Sequence, residues 1–148
     1  MSNIVKDISD AFIAQSLALL TDYKKAPYQW NIDLNNRKQS QKIIAVKPLG
    51  SASVSGSLRT ITNDQEFSVI LSDIYLNKGD NDNDLNTRIY AMYEDVETLY
   101  KNLMLRKLAI STVLGVLIVD IKEPTINEED KYVSIETTFS VKYKKDII

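Results

Sequence analysis

The densest run of potential ligand atoms is Asp80-Asn81-Asp82-Asn83-Asp84, which opens like a calcium loop. Such a loop needs glycine at its sixth position for the turn and a bidentate glutamate at its twelfth. Leu85 and Ala91 stand at those positions, so the run reads as a solvated linker and helix cap. The glycines at 50 and 56 bracket a serine-rich stretch that invites comparison with a phosphate loop. That loop requires Lys and Ser/Thr directly after its last glycine, and here Ser57-Leu58-Arg59 follows. Glu94, Asp95 and Glu97, like Glu128, Glu129 and Asp130, could pair for acid–base work, but the first group lies mostly on the polar side of a helix and the second in a turn. Serines abound between Ala52 and Ser57, yet the chain has no histidine to activate one as a nucleophile. It has no cysteine either, which excludes disulfides, thiolate metal sites and thiol catalysis. The expectation is a protein without catalytic residues, cofactor or metal.

Contact surface is the better candidate for function. Arg37, Lys38, Lys42, Lys47 and Arg59 fall between Asp33 and Asp64 with no acidic residue among them. Nucleic acid, an acidic protein partner and plain solvation all fit that charge. The segment lacks the interleaved aromatics of a single-strand binding platform, and the whole chain has a net charge of -2. The interface candidates are Arg37, Lys38, Lys47, Gly50, Ser53, Gly56 and Arg59, together with Tyr90, which flanks the apolar stripe of its helix while Tyr93 and Tyr100 sit on it.

The elements that must position these residues follow from periodicity. With 148 residues the chain fits one domain, able to bury roughly 70% of the surface its unfolded form exposes. Ile4, Ile8, Phe12, Leu17 and Leu20 recur at helical spacing behind Ser2 or Asn3 as cap, predicting a helix over about 3–21. Tyr28, Trp30, Ile32 and Leu34 alternate with polar residues as in a half-buried strand. Between 37 and 62 the chain reads as a basic loop. It holds a strand candidate at Lys42–Lys47, and its glycine–serine part suits either a flexible loop or an extended hairpin. Phe67, Val69 and Leu71 predict a strand over about 58–76, with a mixed phase near Ile70 and Ile74 from two-sided burial or a bulge. Leu85, Ile89, Met92, Tyr93, Val96, Leu99, Tyr100 and Leu103 form a helical stripe, entered from the acidic linker and ending near Ala109. Val113–Ile121 is apolar at both strand phases, which predicts a central or helix-covered strand. Tyr132–Lys144 alternates throughout and should pair antiparallel with it. The order of elements gives an α+β fold: a mostly antiparallel or mixed sheet with two helices packed on one face. No signal peptide or spanning segment is evident, so no membrane role is expected.

Several of these stretches together resemble the tail-terminator proteins of long-tailed bacteriophages. Gln65-Glu66-Phe67-Ser68-Val69-Ile70-Leu71-Ser72-Asp73 is similar to that family's long central strand. Asn83-Asp84-Leu85-Asn86-Thr87-Arg88-Ile89-Tyr90, followed by Asp95-Val96, is similar to its second helix, and Tyr132–Tyr143 to its hydroxyl-rich terminal strand. The resemblance rests on the order and spacing of elements over most of the chain, and no interface residue carries over from it. It implies a homo-hexameric ring that caps the tail tube, ends tube polymerisation and joins the tail to the head connector in the neck of the virion. The implied partners are further copies of the chain, the tail tube protein, neck and head-connector proteins and, in a contractile tail, the sheath. DNA would meet the ring only by passing through its lumen. Another neck or tail-completion adaptor and a tube-like baseplate subunit share these features. A small enzyme working through carboxylates alone is the reading from a different class.

Overall fold

In the computed structural model, residues 3–25, 42–56, 59–74, 82–106, 108, 110–127 and 132–146 are described. The strand expected over 28–34 lies outside them, as do Arg37, Lys38, Glu128, Glu129 and Asp130. The elements run α1 (Ile4–Leu19), β1 (Tyr23–Lys25), β2 (Lys42–Gly56), β3 (Thr60–Ile74), α2 (Asp82–Arg106), β4 (Val113–Ile121), β5 (Thr125–Asn127) and β6 (Tyr132–Asp146).

Asn3 starts α1 as expected, its side-chain oxygen accepting from the backbone N–H groups of Val5 and Lys6 at 3.1 and 3.2 Å. Helix α2 begins at Asp82, so Asp82, Asn83 and Asp84 form its first turn rather than its cap.

The described strands form one six-stranded sheet in the order β1-β2-β3-β6-β4, with β5 also on β6. Only β1–β2 is parallel, so the sheet is mixed. The β3–β6 ladder keeps one register from Thr60↔Asp146 to Ile74↔Tyr132. No bulge therefore explains the mixed phase of β3, which instead reflects burial on both faces. Phe67, Val69 and Leu71 enter the main core, whereas Ile70 packs with Ile43 and Ala45 on the reverse face. The fold is the α+β arrangement that the pattern of elements predicts.

Both helices cover one face of the sheet. Ile8, Phe12 and Ile13 from α1 and Met92, Val96, Leu99 and Leu103 from α2 join Val46, Ile135 and Val141 in a single core. Phe12 is its hub, with ring centroids 5.4 Å from Phe67 and 5.6 Å from Phe139 in tilted geometry. Two polar contacts fix the helix layer at its edges. Arg88 on α2 pairs with the buried Asp73 at the end of β3 at 3.0 Å. The Tyr23 hydroxyl on β1 donates to Asp95 on α2 at 2.7 Å. Burial, reinforced by the Asp95 carboxylate, pushes the Tyr23 hydroxyl pKa far up and keeps it a neutral donor.

Two expectations need correction. The glycine–serine stretch is not a loop: Lys42–Gly56 is one 15-residue strand, so the hairpin alternative is the observed one. Of the two alternatives for β4, the helix-covered one is observed, with Val113 and Val116 packed in the core beneath α2, and the central one is not. Among the described residues β4 is the last strand of the sheet, with β6 on one side only. Its double apolar phase arises from exposure and from two register shifts against β6, at Val113/Gly115 and at Ile118/Asp120.

Candidate assembly surface

Among the described residues, those proposed from sequence do not converge on one spot. Lys47 lies opposite Ser68 on the sheet face away from the helices, half-buried. Gly50 and Gly56 are exposed along β2, Ser53 pairs through its backbone with Asp64, and Arg59 is exposed in the bend before β3. Tyr90 is 69% exposed, but it stands on α2 in the helix layer. Tyr93, placed on the core stripe by its spacing, is also exposed because it falls at the edge of that stripe.

What turns a loop-like sequence into a strand is legible in the β2–β3 pairing. Register shifts between Pro48 and Ser51 and between Ser51 and Ser53 absorb the irregular stretch. Proline has no N–H to give a ladder and suits such a bulge on an outer strand. The buried Gln65 of β3 holds the bulge in place. Its amide donates to the Leu49 carbonyl and its oxygen accepts from the Ser51 hydroxyl at 3.0 Å. Further out, a Cβ added at Gly56 would lie 3.3 Å from the Thr60 carbonyl, so a close backbone approach favours glycine there. Gly50 meets no such demand. The distal hairpin is tied to β6 by the amide of Asn63, which donates to the Tyr143 hydroxyl at 2.9 Å.

An exposed apolar row among the described residues escaped the sequence reading. Leu117 is 62% exposed, Val119 54% and Leu114 45%, all on β4, and Ile121 and Ile126 are exposed as well, opposite Thr137 and Val133 of β6. A groove of about 590 Å³ runs along β4, between Met104 of α2 and the Asp64, Glu66 and Lys142 side chains of the neighbouring strands. Edge strands of monomeric proteins are commonly protected by inward charges, Lys or Pro. From Val113 to Val119 there is no charged residue and no proline. The available signal was the glycine at 115 within an apolar run, which marks bulged strands as readily as buried ones.

The reverse face of the sheet is rich in hydroxyls and paired charges. Ser68 donates to Glu136 at 2.6 Å, and Lys122 approaches the other Glu136 oxygen at 3.4 Å. Burial acts to raise the Glu136 pKa, but the Ser68 hydroxyl with Lys122 and Lys47 outweighs it and holds the carboxyl below its ordinary value. Ser134 donates to Ser72, which donates on to the Val133 carbonyl. Among the described residues no group of three or more acidic, His or Cys side chains converges to hold a metal ion, and no helix is long and apolar enough to cross a membrane. The arrangement offers complementary surface: an apolar edge, an extended hairpin and a polar face.

No protein-family model matches the chain, and no curated protein sequence matches it. Among solved structures, the chain is similar to one in a structure described as the virion of a native gene transfer agent (GTA) particle. The match has a TM-score of 0.51 at 12% identity and covers 89% of this chain and 86% of that one. At that identity the likeness is one of fold, and it spans nearly the full length of both.

Proposed function

We propose that this chain is a structural virion protein of a phage-like particle, forming a homo-hexameric ring at the head-proximal end of the tail tube. In this reading the ring ends tube polymerisation and joins the tail to the head connector, without catalysis or cofactor. The observation that carries it is the near full-length fold match to a chain of a particle virion. The uncovered apolar edge of β4 supports it, because capping a polymer calls for complementary surface. One ring face would take the place of a further tube ring, and the other would differ and admit none.

The test is to image the purified chain and then add it to its polymerising tail tube protein. Rings of six copies on tube ends, with tubes that stop lengthening, are expected. A chain that stays monomeric and leaves tube length unchanged would overturn the proposal. Rings at the opposite, baseplate end would move it to the tube-like baseplate subunits.

A further inference from the structure

We infer that neighbouring copies join head to tail through their sheets, β4 of one copy pairing antiparallel with Ser51–Gly56 of β2 in the next. This rests on the ring reading and names the strands that would build it. Strand direction supports it. Each neighbouring pair in β2-β3-β6-β4 is antiparallel, so β2 and β6 run one way and β3 and β4 the other. A second copy set beside β4 with its helices on the same face presents β2 in the opposite direction to β4. An antiparallel ladder then continues the sheet without turning either molecule over.

Among the described residues both edges are open: β4 has β6 on one side only, and β1 pairs with β2 at Lys42–Ile44 alone. Gly50, Ser51, Val54, Ser55 and Gly56 are exposed. Side-chain size is complementary. The β4 edge carries Leu114, Leu117, Val119 and Ile121, whereas the hairpin edge offers small residues with Val54 as its one large aliphatic. Charge does not oppose the contact: 51–56 is uncharged, with no acidic residue from Lys42 to Asn63, and the groove beside β4 holds Asp64 and Glu66 together with Lys142. Because the two edges differ, the contact is heterologous and leaves one of each kind free until a ring closes.

The absence of cysteine makes the test direct. Leu117→Cys is combined in the full chain with Ser55→Cys or with Val54→Cys, whose side chains project from opposite faces of β2. Under mild oxidation one of the two combinations should give a ladder of covalent multimers, and the other far less. Each single variant should give no more than a minor dimer. Rings in which neither combination cross-links would overturn the strand assignment and leave the ring reading intact. A strong dimer from Leu117→Cys alone would mean β4 pairs with its own copy about a two-fold axis and would also overturn it. Absence of rings from the unmodified chain, alone and with tube protein, would remove both. Should the cysteines unfold the protein, hydrogen exchange on the unmodified chain reports the same contact. Amides of β4 and of 51–56 should gain protection together on assembly, and protection of only one would count against the pairing.

Discussion

Glu136 gathers a hydroxyl and two lysines, and the sign of its contribution to stability follows. Its carboxyl titrates below the ordinary 4.5 in the folded chain. The stabilisation is therefore complete above that value, and is lost as pH falls through the folded value. Glu136→Gln should remove this part of the acid sensitivity, which thermal melts from about pH 3 to about pH 7 would reveal as a flatter profile. Asp73 tells a different story, since its side chain is only 3% exposed beside Arg88. Arg88→Ala leaves that carboxylate buried without its guanidinium, and a loss of about 3 kcal/mol in urea unfolding is expected. Gln65→Leu should cost about 1–3 kcal/mol, because the Leu49 carbonyl and Ser51 hydroxyl lose their partner at the bulge. None of these three roles could be read from the chain. Each depends on a partner 14 or more positions away, brought close by sheet register rather than by local periodicity.

Helix α1, the strands β3 and β6, and α2 were legible because each carries its own period. Phe12 sits at the buried phase of α1, and Phe67 and Phe139 at the buried phases of β3 and β6, as alternation predicts. Phe12→Ala should cost about 3–5 kcal/mol, read as a lowered unfolding midpoint, because two rings would lose their packing partner at once. The strand β4 was legible as a strand but not in its position. A run apolar at both phases has the same sequence whether a second strand covers it or water does. Leu117→Lys separates the two cases. In the exposed position seen here it should change monomer stability by no more than about 0.5 kcal/mol, yet it should abolish self-association measured by analytical ultracentrifugation. The distal half of β2 was illegible for the opposite reason: Gly, Ser and Ala supply little strand propensity, and what holds it is the β3 ladder beside it.

At the scale of the whole molecule, three strands of 15 residues run to about 50 Å at strand rise. The helix beside β2, of 16 residues, covers only about 24 Å. One end of the sheet therefore projects past α1 as the β2–β3 hairpin with the end of β6. A test of that geometry is shortening the hairpin symmetrically, removing Val54–Gly56 with their partners Ile61–Asn63. The core should keep its melting temperature to within a few degrees, whereas assembly, read by native mass, should fail.

The sheet order also sets a schedule. Strand β6 follows both β3 and β4 in the chain, yet among the described strands it lies between them. While the nascent chain lengthens, β4 has no ladder to join and β3 has one flank waiting. Only when β6 inserts does β4 acquire a fixed direction, its bulges and its exposed row of aliphatic side chains. The surface that could bind a neighbour thus depends on β6 being in place, so a nascent chain that has not yet reached β6 lacks the ladder that shapes it.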